Sequence, residues 1–277
     1  MAMGLNRYKN YIFVIKLLSF SFLSLLINSS LYSCKRSKAD NEYYEPIPLA
    51  THVNGQNFVG SQSCVECHSD ISQSHIRTAH YKTSALVDSG SVKASFENGK
   101  NRYHLNDDVV FDMTISRNGI FQAASSVADG KQFSKSKIDV VIGSGTKGQS
   151  YLNWSNDSLY QLQISYFTPT DNWANSPGMP SEILVQPRPV NAKCMECHTT
   201  FAKNTSLYGM GNRYDKQQII YGIDCERCHG PSEGHAVFHR NNTELQEPRY
   251  MMKYDTLSRQ QRLDACALCH SGVSQNA

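Results

Sequence analysis

Cys-x-x-Cys-His occurs four times in this 277-residue chain, at residues 64–68, 194–198, 225–229 and 266–270. Two residues between the cysteines let one short turn present both sulfurs to one edge of a flat ring. There they add across the two vinyl groups of a porphyrin, and the adjacent His lies against the iron as an axial ligand. Eight of the nine cysteines fall in these four frames. A zinc ribbon uses paired Cys-x-x-Cys units but does not require His after each second Cys. Disulfide pairing, the default for cysteines in an exported domain, does not explain four identical frames. The expectation is therefore four covalently bound haem c groups. They would be held by Cys64, Cys67, Cys194, Cys197, Cys225, Cys228, Cys266 and Cys269, with His68, His198, His229 and His270 as proximal iron ligands.

Residues 1–33 read as a lipoprotein-type signal peptide: Arg7, Lys9 and Lys16 precede a charge-free apolar run from Leu17 to Ile27. That run is shorter than the roughly 20 residues a spanning helix needs. Leu31-Tyr32-Ser33-Cys34 resembles a bacterial lipobox, although Tyr32 stands where a small residue is usual. Cys34 is the candidate lipidation site, which would anchor the chain to a membrane; the alternative is a spare thiol. Residues 34–57 read as a polar tether with Pro46 and Pro48.

The formal charge of +3 belongs to the signal, since its three basic residues have no acidic counterpart within 1–33 and their removal leaves a balance of zero. No domain-wide basic face survives, so nucleic acid is not an expected partner. Haem propionates would make the mature protein acidic, which suits a redox partner with a basic docking patch.

Gly60-Ser61-Gln62-Ser63-Cys64 with Thr78-Ala79-His80, and Asp224-Cys225-Glu226-Arg227-Cys228-His229-Gly230-Pro231 with Gly234-His235, resemble multihaem cytochromes of the cytochrome c-554 type. The resemblance covers about residues 58–86 and 191–277. It implies tetrahaem packing, with His80 and His235 as distal ligands, and does not fix one reaction. Residue types alone leave six His outside the motifs as distal candidates: His52, His75, His80, His104, His235 and His239. His239 lies i+4 from His235, which puts both on one helical face. That pair lacks the Glu a zincin needs after its first His. If residues 69–84 continued as one helix, His68 and His80 would sit about 18 Å apart at 1.5 Å per residue. His80 would then cap a different iron from the one His68 holds. Five Met residues are further distal candidates, though each alone more often serves packing.

Between the first and second motifs the pattern changes to short strand-like runs, at Val109 to Ser116, Ile120 to Ala124, Ile138 to Ile142 and Tyr160 to Phe167, with Asn118-Gly119 as a hairpin turn. Gly143-Ser144-Gly145-Thr146-Lys147-Gly148 matches a dinucleotide fingerprint in form only, because no apolar helical period follows it. Residues 168–190 form a Pro-rich loop in which Trp173, with nearby Phe167, is a candidate for either a porphyrin contact or the core. The fold expectation is a mainly α and irregular multihaem cytochrome c fold, built from 58–95 plus 191–277, with a small antiparallel β insert and Pro-rich loop at 96–190. The fourth motif lies close to the last residue, so the chain reads as a domain that relatives continue.

Electron transfer is the first functional expectation. An exported, lipid-anchored tetrahaem cytochrome of the periplasm or cell envelope would carry single electrons between a membrane donor, such as a quinol-linked protein, and a terminal reductase. An alternative is a multihaem reductase of a small nitrogen or sulfur compound at one five-coordinate haem. A third is a haem-based sensor or scaffold.

Overall fold

A computed structural model of the protein describes residues 48–88 and 90–270. The signal, Cys34 and most of the expected tether lie outside the described residues. Within 48–57 the chain already pairs, Ala50–Thr51 running antiparallel to Asn57–Phe58.

The motif-bearing segments form five helices: α1 (Ser61–His75), α2 (Ala192–His198), α3 (Cys225–His229), α4 (Glu233–Asn241) and α5 (Arg259–His270). The four that carry a motif stop at or soon after it; α4 carries none. α2 meets Thr199, whose extended backbone (φ −132°, ψ 158°) starts a strand, and α3 meets Gly230 at φ 81°. α1 carries its break inside, at His68 (φ −118°, ψ 43°). The continuous helix imagined between His68 and His80 therefore does not exist, since α1 kinks at the motif His and ends at His75.

Strands outnumber helices, so the expected mainly α fold is wrong and the described chain is mainly β. Arg102–His104, Val109–Ser116, Gly119–Ser126 and Gln132–Ile138 form an antiparallel meander. Its central hairpin closes through Arg117-Asn118, with Ser116 opposite Gly119. A seven-stranded sheet follows, in the order Asn172–Asn175, Ile164–Phe167, Gly148–Ser155, Ser158–Gln161, Arg188–Pro189. Val140–Ile142 adds to Gly148–Ser155, and Ser84–Leu86 adds to Val140–Ile142. Between the second and third motifs Thr199–Asn204 pairs with Tyr214–Tyr221. The β structure thus runs beyond 96–190 on both sides. The physical reason is that haem motifs need only a turn or two of helix, and the connecting β-branched and aromatic residues pair as strands instead.

The largest core lies between the meander and the seven-stranded sheet, where Met113, Ile138, Tyr151, Ile164 and Trp173 are at most 1 % exposed. Trp173 belongs to this core, and its indole N–H donates to the Lys100 carbonyl at 2.9 Å. A second cluster packs Val140, Leu152, Leu159, Val190 and Tyr214 around Met195. Met195 lies between the cysteines of the second motif, so this haem-binding turn is seated on the β core by its own intervening residue. Among the described residues no helix is long and apolar enough to cross a membrane.

Candidate functional site

The four motifs converge although 205 positions separate the first motif cysteine, Cys64, from the last, Cys269. Cys64 of the first motif hydrogen-bonds Cys225 of the third, a contact that lowers the Cys64 thiol pKa and raises that of Cys225. Cys197 of the second motif and Cys269 of the fourth face each other's helices, 3.9 Å from the Leu268 carbonyl and 3.8 Å from the Glu196 carbonyl respectively. Arg227 of the third motif reaches Cys269 Sγ at 4.0 Å, and burial followed by the charge of Cys266 pushes the Cys228 thiol up. The order in space is first, third, fourth, second. None of the eight motif cysteines is in a disulfide.

Glu226 welds the first pair. It stands between the two cysteines of the third motif, is 3 % exposed, and accepts three backbone N–H groups: Val59 at 3.1 Å, Gly60 at 2.7 Å and Ser232 at 2.8 Å. Two of these donors lead into α1. Burial raises its pKa while the three donors oppose that rise. Asp224 caps α3, its side chain accepting from Cys225 N at 2.8 Å. Asn191 does the same for α2, accepting from Cys194 N at 3.3 Å.

Two histidine pairs then face each other. The rings of His68 and His235 have centroids 6.4 Å apart at 18°, and those of His80 and His270 are 6.0 Å apart at 79°. Both separations exceed face-to-face ring packing. A metal–imidazole bond of about 2 Å puts two imidazoles sharing one metal at ring-centre separations of roughly 6 Å. Each pair joins one motif His to one non-motif His. His80 faces the fourth motif and not the first.

Tautomers agree with that geometry. His235 Nδ1 lies 2.9 Å from the Arg249 carbonyl, His239 Nδ1 3.0 Å from the Leu245 carbonyl, and His229 Nδ1 3.1 Å from the Met252 carbonyl. A carbonyl only accepts, so each Nδ1 carries the proton and each Nε2 keeps a lone pair, the arrangement metal-bound His adopts. Burial, first among several causes, also lowers the His235 pKa. Among the described residues, the His239 Nε2 is a buried side-chain nitrogen without a hydrogen-bond partner. It lines, with Cys64, Cys67, His68 and His235, a cavity of about 440 Å³.

His198 differs. Its Nδ1 is 3.2 Å from the Thr83 hydroxyl, its carbonyl accepts from Ser84 Oγ at 2.5 Å, and burial lowers its pKa. It opens on a cavity of about 390 Å³ bounded by the seven-stranded sheet and the glycine loop at 143–148, in whose lining His198 is the one imidazole. Phe167 lines this cavity too.

The remaining His are placed apart from these pairs. His75 spends its Nε2 on the Ile223 carbonyl at 2.9 Å, beside Asp224. His52 packs on Phe58 and Phe201. His104 is exposed on the first meander strand, opposite Val110. Glu226 and the carbonyl-bearing segment at 245–252 were not visible to sequence reasoning. The one available signal was an acidic residue recurring inside three of the four motifs, at Glu66, Glu196 and Glu226.

These donor sets fit covalent haem: paired sulfurs, an adjacent imidazole and, twice, a second imidazole at the spacing one iron requires. The family described as cytochrome c554 and c-prime matches residues 168–230, the stretch holding the second and third motifs. No curated protein matches the chain. Among solved structures it is similar to the outer cell wall cytochrome OcwA, at 17% identity and a TM-score of 0.44, covering 72% of this chain and 36% of that one. It is similar also to an undecahaem cytochrome from the S-layer of Carboxydothermus ferrireducens, at 17% identity and a TM-score of 0.44, covering 84% of this chain and 27% of that one. The chain thus spans about a third of the length of these structures.

Proposed function

We propose, for a chain that resembles multihaem c-type cytochromes, that it carries single electrons through four haem c groups between a membrane donor and a terminal acceptor outside the cytoplasm. Bound haem supplies a reversible one-electron couple. The chain's residues hold it by thioether attachment at the eight motif cysteines and by His68, His198, His229 and His270 on the proximal side. His80 and His235 take distal positions, on the irons of the fourth and first motifs respectively, with His239 a further candidate at the first cavity. The observation that carries this reading is the pair of His–His separations, 6.4 and 6.0 Å. Two strong imidazoles on one iron limit its reorganisation on electron exchange and exclude small ligands, which suits a carrier.

The adjacency of motifs in the order first, third, fourth, second supports a continuous electron path whose ends are the first and second sites. Lipidation of Cys34 and attachment to a bacterial membrane complete the proposal. Mass spectrometry of the exported protein tests it: the expected mass includes four haems and a diacylated or triacylated Cys34 with residues 1–33 removed. Fewer than four haems, or a free Cys34, would reject the corresponding part.

A second reading is favoured by one observation, the cavity at His198 without a second imidazole. An open iron there would suit reduction of a small nitrogen or sulfur compound. Carbon monoxide binding by about one haem in four would support it, and no binding would favour the carrier.

A further inference from the structure

The glycine loop at 143–148, which resembled a nucleotide fingerprint only in form, has a defined place. It closes the turn between Val140–Ile142 and Gly148–Ser155, and its shape depends on lacking side chains. A Cβ at Gly143 (φ 105°) would come within 2.6 Å of the Gly148 carbonyl oxygen, and one at Gly148 within 2.5 Å of the Tyr166 carbonyl oxygen. The loop is pinned at both ends. Gly143 N donates to the Thr83 carbonyl at 2.7 Å, and Thr168 N donates to the Lys147 carbonyl at 3.1 Å. Thr83 is the residue whose hydroxyl meets His198 Nδ1. One threonine therefore ties the glycine loop to the imidazole of the second motif, and both border the same cavity.

The groups in that cavity able to offer a lone pair to iron can be counted off. The Tyr166 hydroxyl is committed to Asp171 at 2.5 Å. Gln149 accepts from Lys93 N and donates to the Ser91 carbonyl, while the Gln161 side-chain oxygen accepts from Arg188. The hydroxyls of Ser150 and Ser165 bond each other at 2.8 Å. Met195 shares a helix with His198, three residues earlier, and is buried in the second apolar cluster. What remains is the amine of Lys147, on a long flexible stem whose backbone is fixed on the sheet side of the cavity.

We infer that Lys147 is the distal ligand of the iron held by His198, giving this site a His–Lys pair where the first and fourth motifs use His–His. The inference rests on the proposed haem attachment at Cys194 and Cys197. Lysine has the reach to cross a cavity bordered by a sheet that supplies no imidazole, and its amine is a strong nitrogen donor once deprotonated at the metal.

The test uses the full holoprotein and its Lys147→Ala and Lys147→His variants. Peptide mapping first establishes whether haem is attached at Cys194 and Cys197; its absence there overturns the inference together with the attachment reading, whereas its presence leaves the spectra to decide. In the parent protein the second haem is expected to be low-spin, with one near-infrared charge-transfer band of His–Lys type in magnetic circular dichroism and no carbon monoxide binding there. Lys147→Ala is expected to keep four haems while one in four becomes high-spin and binds carbon monoxide. Lys147→His should restore the low-spin state with a His–His band. A parent protein that already binds carbon monoxide at the second haem, or a Lys147→Ala variant whose spectrum matches the parent, overturns the inference.

Discussion

The β-rich middle and the motif-bearing segments solve the problem of burial in opposite ways. Between the meander and the seven-stranded sheet, Met113, Tyr151, Ile164 and Trp173 are sealed by one another. In α4 and α5 no residue is buried at all, and in α1 only Ser72 is. Ile71, Leu263 and Leu268 lie 50 to 69 % exposed on the same helices. The first region carries its own core in its sequence. The second has cysteine and histidine where a core would be, so under the proposed haem attachment its apolar partner would be the porphyrin and its order would be conditional on that attachment.

The largest effect expected from this contrast follows replacement of all eight motif cysteines by Ser. Residues 61–80 and 225–270 should lose amide protection, while 109–126 and 148–175 keep theirs, as hydrogen exchange would read segment by segment. Equal protection in both regions would dissolve the contrast. Trp173→Ala attacks the other side. It should cost about 3–5 kcal/mol, the usual loss for truncating a buried aromatic, and leave the haem content of the surviving folded protein at four. Calorimetry with a pyridine haemochrome assay would check both halves of that statement.

Glu226→Ala tests the join between the first and third motifs. It strands three buried N–H donors, at about 1 kcal/mol or more each, so roughly 3 kcal/mol should be lost. Glu226→Gln, which keeps one acceptor oxygen, should lose less, and thermal unfolding would rank the two. The smallest effect on stability is expected from His80→Ala or His235→Ala. Each should turn one low-spin haem high-spin without releasing it, visible in electron paramagnetic resonance. Unchanged spin in both variants would remove the two-imidazole pairing from the proposal.

What could be read from the sequence divides along the same line. Covalent haem attachment would require fixed residue types and spacing, so the eight cysteines and four adjacent His stand out as candidates from local pattern alone. The hairpin at 109–126 was legible too, because alternation and an Asn-Gly pair are local signals, although the turn closes through Arg117-Asn118, one residue before the expected Asn118-Gly119. The balance of secondary structure was not. Motif helices as short as the five residues of α3 leave no helical period to count. Strands such as Arg188–Pro189 and Ser84–Leu86 exist only through partners distant in the chain. Tyr214–Tyr221 likewise is a strand through its pairing with Thr199–Asn204. Glu226 was invisible for a different reason: a Cys-x-x-Cys-His pattern treats its middle positions as free, while here Glu226 and Met195 anchor their turns to the rest of the molecule.

The facing histidines also carry a consequence for how the protein matures. His68 and His235 are 167 residues apart in the chain, and His80 and His270 are 190 apart. A chain emerging from the N-terminus would expose its first haem-binding turn long before the residue opposite that turn exists outside the membrane. Closing loops of this length costs entropy that grows only slowly with their size, but it delays the contact. Spin state would then be a clock built into the molecule. The iron held by His68 would remain five-coordinate while the chain is incomplete, and its conversion would mark the moment when the last third of the sequence docks onto the first; the turn bearing His270 instead arrives after His80 is in place.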